Sequence, residues 1–130
     1  FDKGLRLREE VLGENYVRNS FEKATHFSRP FQDFITESAW GNVWSRETLD
    51  RRTKSFITLS ILLALRAEKE IALHVRGAIN NGVNRDELMG LFIHASVYAG
   101  VPAALSGVKK SGPQLALART ELRCTCLPAK

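Results

Sequence analysis

The sequence predicts an all-α protein built as a bundle of six to seven helices. Apolar residues recur at spacings of three and four along nearly every segment. Prolines stand only at positions 30, 102, 113 and 128, which leaves the middle of the chain free of helix breakers. No stretch alternates apolar and polar residues long enough to form a sheet. A length of 130 residues suits one domain. An apolar share of 44% with 25% charged residues is ordinary for a folded chain.

The first helix is expected over about Lys3–Leu12, with Gly13 as its stop. A second covers about Val17–Phe27, and Ser28-Arg29-Pro30 separates it from a third at Phe31–Trp40. Phe31, Phe34 and Ile35 give that third helix one apolar face. Ala39–Arg46, with Gly41, Asn42 and two tryptophans four apart, reads as the break between two halves. A fourth helix runs from about Asp50 to Leu65. It is apolar on most sides and so is expected to be central. The fifth spans about Glu68–Asn81. Gly82 then takes the left-handed position and Val83 supplies the hydrophobic residue after it. Asn84 and Glu87 form a capping-box variant for a sixth helix, which reaches about Tyr98 and ends at Gly100. A last helix occupies about Ala103–Leu122, with an interruption expected at Gly112-Pro113. Arg123–Lys130 shows no periodicity.

Composition excludes several function classes. Nineteen basic residues face fourteen acidic ones, a net charge of +5. The basic residues are dispersed among acids and are not interleaved with aromatics, so no nucleic-acid surface is expected. Phe56–Leu65 is too short to span a membrane, and Gly100 and Pro102 break Leu88–Val108, so no membrane partner is expected. No secretory pattern opens the sequence. Cys124 and Cys126 alone make no disulfide scaffold, and a cytoplasmic location is the expectation. His26, His74 and His94 fit no zinc spacing, so no metal site is expected. P-loop, Gly-x-Ser-x-Gly and His-Glu-x-x-His motifs are absent.

Glu70 and His74 are the sharpest candidates for catalysis. Their i, i+4 spacing puts them one turn apart on one helix face. A carboxylate beside an imidazole raises its pKa and orients the ring, which is an acid–base arrangement. Neighbouring Ile71, Leu73, Val75, Ala78 and Ile79 turn His74 toward an interior or a cleft. Leu91, His94 and Tyr98 make a second line, with His94 in an apolar context and Tyr98 as core or pocket wall. Arg51, Arg52 and Lys54 open the fourth helix. Cations there oppose the helix dipole, so the cluster invites an anionic partner. Trp40 and Trp44 are expected in the core or at a subunit interface.

Several separated motifs then resemble one family. The run Glu70–Glu87 is similar to the signature of the carboxymuconolactone decarboxylase family, and His94–Ala104 matches its continuation. Arg8-Glu9-Glu10-Val11-Leu12-Gly13 and Trp40-Gly41-Asn42-Val43-Trp44 resemble the branch that acts on 4-carboxymuconolactone. The resemblance covers about residues 4–108 of a single domain spanning 1–130, and it leaves 109–130 as an atypical tail. Lys54 stands where many relatives carry Arg. The wider alkylhydroperoxidase-like superfamily uses Cys-x-x-Cys-x-x-x-His. Here the cysteine positions are Ala67 and Glu70, so thiol peroxidase chemistry is not expected.

The resemblance implies an alkylhydroperoxidase-like helical fold and a carboxy-lyase. The implied reaction is cofactor-free decarboxylation of 4-carboxymuconolactone to the 3-oxoadipate enol-lactone in protocatechuate catabolism. The alternative is a cofactor-free cyclase, isomerase or decarboxylase of the same fold, acting on an aromatic or lactone intermediate of secondary metabolism. In either case His74 is the proton donor or oxyanion partner, and Glu70 its orienting and relaying carboxylate. Arg51 or Arg52 binds a substrate carboxylate, while His94 and Tyr98 line the pocket. The partners implied are a small anionic lactone and further copies of the chain, as a trimer or hexamer.

Overall fold

A computed structural model describes residues 1–125. Every described element is helical: seven α-helices and one π-helix. The all-α expectation is therefore met. Contact density divides the chain into two compact units, Phe1–Lys54 and Ser55–Lys130.

The first unit holds α1 (Asp2–Leu12), α2 (Glu14–Glu22), α3 (Arg29–Ile35) and the π-helix (Thr36–Trp44). Gly13 joins α1 to α2 with φ 96°, a left-handed value that glycine adopts without steric cost. α1 packs against the π-helix, and Gly4 makes the approach possible. A Cβ at Gly4 would lie 2.7 Å from the Gly41 nitrogen, so only glycine fits there. Arg8 is buried and ties the two elements together. Its guanidinium donates to Thr36 Oγ1 and to Gln32 Oε1, each at 3.0 Å. Trp40 is buried and stacks on Trp44, with ring centroids 4.9 Å apart. The core placement expected for Trp40 holds.

The expected break at Ala39–Arg46 is displaced. The chain stays helical through Trp44, and the irregular segment follows it, before α4 begins at Arg51. Gly41 and Asn42 read locally as turn residues. In the fold, Gly41 is instead the contact point for Gly4, and tertiary packing overrides the turn preference.

The second unit holds most of α4 (Arg51–Leu65), together with α5 (Glu68–Asn80), α6 (Arg85–Ala99) and α7 (Val101–Thr125). Its core joins Leu59 and Leu63 of α4, Ile71, Val75 and Ala78 of α5, and Leu88, Leu91 and Phe92 of α6. α7 packs on α5 and α6. Gly107 lets it close, since a Cβ there would lie 2.6 Å from Leu63 Cδ2.

The caps follow the sequence reading closely. Gly82 has φ 89°, and Val83 N donates to Ala78 O, which closes α5. Asn84 and Glu87 make a full reciprocal capping box at the start of α6. α4 ends in the same motif with a less suitable residue. Arg66 takes φ 55° while Ala67 N donates to Leu62 O.

Two expectations fail here. α4 buries only Ser55, Leu59 and Leu63, while Ile57, Ile61 and Leu65 are 44%, 53% and 71% exposed, so it is not central in the single chain. α7 runs through Pro113 without a break. Its packing on α5 and α6 outweighs the loss of one helical hydrogen bond. Cys126 and the end of the tail lie outside the described residues, and the Cys124 side chain does too. Among the described residues no helix is long and apolar enough to cross a membrane.

Candidate active site

α5 positions the acid–base candidates. Glu68 and Glu70 sit in its first turn, where carboxylates favour the positive end of the helix dipole. Ile71, Val75 and Ala78 anchor the opposite stripe in the core. Glu70 is exposed, and His74 is half-buried one turn later.

The electrostatics reverse the expected direction. Burial pushes the His74 pKa down to about 4, because the imidazolium loses the water that would solvate it. Among the described residues no hydrogen bond or ion pair joins Glu70 to His74. Shared helix face fixes where two side chains leave the backbone, not where they end. Here one carboxylate extends into water while the imidazole turns inward. His74 is therefore a neutral imidazole at pH 7. It can donate one hydrogen bond and accept another.

His94 and Tyr98 meet as a tilted pair with ring centroids 5.3 Å apart, but they do not face an interior. α6 buries Leu88, Leu91, Phe92 and Ala95, and the two rings fall on its other side. His94 is exposed and Tyr98 is 81% exposed. The expected pocket-wall role is thus not seen within one chain. Ile93, Val97 and Val101 are exposed beside them, which makes this an apolar surface.

The basic cluster lies in the first unit and is largely engaged. Arg51 Nη2 contacts Glu10 Oε2 at 2.6 Å. Lys54 Nζ donates to the Trp44 carbonyl at 2.7 Å and also to the Arg46 carbonyl, so it caps the end of the π-helix. Lys54 therefore holds backbone and does not await a ligand. Asp50 Oδ1 accepts from Thr53 N at 2.7 Å and caps α4. That hydrogen bond, with Arg52 nearby, lowers the Asp50 pKa. The capping carboxylate also answers the dipole that the arginines oppose. Arg51, Lys54, Glu10 and Asp50 all line a cleft of about 450 Å³.

Sequence reasoning missed two polar contacts in the second unit. Ser55 is buried on α4, and Asn81 Nδ2 donates to its Oγ at 2.9 Å. The signal was a serine in register with Leu59 and Leu63 on the buried stripe. Ser106 of α7 donates to Glu68 Oε1 at 3.2 Å, beside a cleft of about 530 Å³ that Ala72 and Lys109 also line. No local pattern links those two positions, 38 residues apart.

Comparison with known proteins gives a consistent result. The profile of the Carboxymuconolactone decarboxylase family matches residues 29–109. A 4-carboxymuconolactone decarboxylase of Acinetobacter baylyi is 49% identical over 104 residues, covering 80% of this chain and 78% of the relative. Nitrosuccinic acid decarboxylase npaB of Metarhizium robertsii is 46% identical over 108 residues, covering 83% of this chain and 76% of the relative.

Proposed function

Because the chain belongs to the carboxymuconolactone decarboxylase family, we propose that it is a carboxy-lyase converting 4-carboxymuconolactone to the 3-oxoadipate enol-lactone. The observation that carries this reading is 49% identity to a decarboxylase of that name over four-fifths of the chain.

The chemistry suits the residues. The leaving carboxylate departs as carbon dioxide, and its bonding pair enters the unsaturated lactone. The resulting dienolate places negative charge on the lactone carbonyl oxygen. A proton then adds to the ring carbon next to that carbonyl. The substrate contains its own electron sink, so the reaction as written calls for no organic cofactor or metal.

In this reading His74 serves as the oxyanion partner. A neutral imidazole donates its N–H to oxygen without bringing a charge that burial disfavours. Glu70, one turn away and exposed, relays the proton from water. Arg51 or Arg52 binds a substrate carboxylate through a guanidinium fork. His94 and Tyr98 complete the pocket only when a second copy covers their face. The exposed apolar residues of α6 support that, and the assembly proposed is a trimer or hexamer. The cytoplasm is the proposed location, since this reaction serves soluble metabolites.

A second reading follows from the Metarhizium relative. Nitrosuccinate and 4-carboxymuconolactone share a chemical core. In each, the carbon that loses carbon dioxide carries an acetate arm and is joined to an electron sink. A nitro group replaces the unsaturated lactone as that sink. The family resemblance supports either substrate.

Carbon dioxide release, measured side by side on the two acids, tests the proposal. The expected result is turnover of 4-carboxymuconolactone with kcat/KM at least about a hundredfold above that for nitrosuccinate, a gap of roughly 3 kcal/mol. Preference for nitrosuccinate would transfer the function to the second reading.

A further inference from the structure

We propose that the first unit carries a binding site of its own, for a small planar dicarboxylate, in the cleft between α1 and the segment from Trp44 to Lys54. Lys3 and Arg6 on one wall and Arg46 on the other are its anion contacts. The site is independent of the decarboxylase reading and draws on no residue of the second unit.

α1 sets one wall. Lys3, Arg6 and Leu7 fall at i, i+3 and i+4, so they share the helix face that opens on this cleft of about 450 Å³. Trp44, Arg46 and Leu49 line the other wall. That wall is held in place from behind. Lys54 Nζ donates to the carbonyls of Trp44 and Arg46, and the Trp44 ring stacks on the buried Trp40. A ligand meets side chains whose backbone is already fixed, which lowers the ordering cost of binding.

The charges of the lining divide into engaged and unengaged. Glu10 meets Arg51, Asp50 caps α4, and Lys54 holds two carbonyls. Among the described residues, Lys3, Arg6 and Arg46 make no ion pair and no side-chain hydrogen bond. Glu47 is the one described acid of the lining in the same condition. Five cations against three acids give the lining a surplus of two positive charges. Like charges gathered in a concavity raise the local potential and favour an anion. The unpaired cations stand on two walls, so the matching ligand carries charge at two ends. Carboxylates suit the guanidinium forks at those ends. Leu7, Leu49 and the Trp44 indole make a lining that an unsaturated ring fills better than a bare inorganic ion.

The chain offers a direct reporter. Its two tryptophans are Trp40 and Trp44, stacked on each other in this unit, and Trp44 lines the cleft. The probe is terephthalate, a rigid ring with a carboxylate at each end. We expect it to shift tryptophan fluorescence saturably. Its affinity should be at least about tenfold above that of benzoate, which has one charge, and of adipate, which has no ring. Arg6→Gln and Arg46→Gln should each weaken terephthalate about tenfold, since each removes a hydrogen bond to a charged group. Both side chains are exposed, so neither change disturbs the core. His74→Ala, in the second unit, and Arg18→Gln, on α2 outside the cleft, should bind terephthalate as wild type does. No saturable shift at millimolar terephthalate overturns the site. Equal affinity for benzoate or adipate overturns the ligand class, and wild-type affinity in both Arg6→Gln and Arg46→Gln overturns the contacts. Loss of binding in His74→Ala would put the ligand in the second unit and overturn the cleft as its place.

Discussion

Burial lowers the His74 pKa to about 4, and the sign of its consequences can be worked out. An unfolded chain takes up that proton near pH 6.5, while the folded chain resists until about pH 4. Stability is therefore complete above pH 6.5 and falls as pH drops through that window, by up to about 3 kcal/mol. Denaturant unfolding of wild type and His74→Asn across pH 4–7 checks this, and the variant should lose that part of the slope. The same neutrality governs catalysis if His74 acts as a neutral donor. The acid limb of kcat/KM, which reports the free enzyme, should have its midpoint near 4. A midpoint near 6.5 would mean that His74 is unshifted in the working protein. Sequence reading located His74 correctly on a largely apolar helix. It misjudged the pKa direction because spacing cannot say whether Glu70 turns toward the ring or toward water.

The helix ends show which parts of the fold are legible locally. α5 closes on Gly82 at φ 89° and α4 on Arg66 at φ 55°, through matching backbone hydrogen bonds. Glycine carries no steric penalty there, and arginine does. Gly82→Ala should cost about 1 kcal/mol, all of it from backbone, since an added Cβ would meet no atom within 4 Å. Arg66→Gly should gain several tenths to about 1 kcal/mol. Thermal and urea unfolding of the two variants check the pair. Gly82-Val83 and Asn84–Glu87 were readable because each motif is contained in a few residues. The π-helix was not, because its contact partner is Gly4, more than thirty residues away. The helical course through Pro113 was hidden for the same reason. Propensity argues for a break, and only packing on α5 and α6 argues against it.

At the scale of the whole molecule, unsatisfied apolar surface is the main clue to assembly. Ile93, Val97, Tyr98 and Val101 are between 64% and 81% exposed along α6 and the start of α7. The sequence pattern placed Ile93, Val97 and Tyr98 in a helix, and the family resemblance implied that His94 and Tyr98 line the pocket. Seen in one chain, their face is open. Val97→Lys places a charge on it and should convert the proposed trimer or hexamer to smaller species in sedimentation velocity. An unchanged sedimentation coefficient would remove α6 from the interface. If His94 and Tyr98 work only in the assembly, activity should fall with the same dose of disruption. The proposed reaction centres on one side chain, His74. The most direct test is carbon dioxide release from 4-carboxymuconolactone by wild type and His74→Ala under identical conditions. The prediction is one carbon dioxide per substrate from wild type and a rate at least about a hundredfold lower from the variant. Equal release by both, or none from wild type, would contradict it.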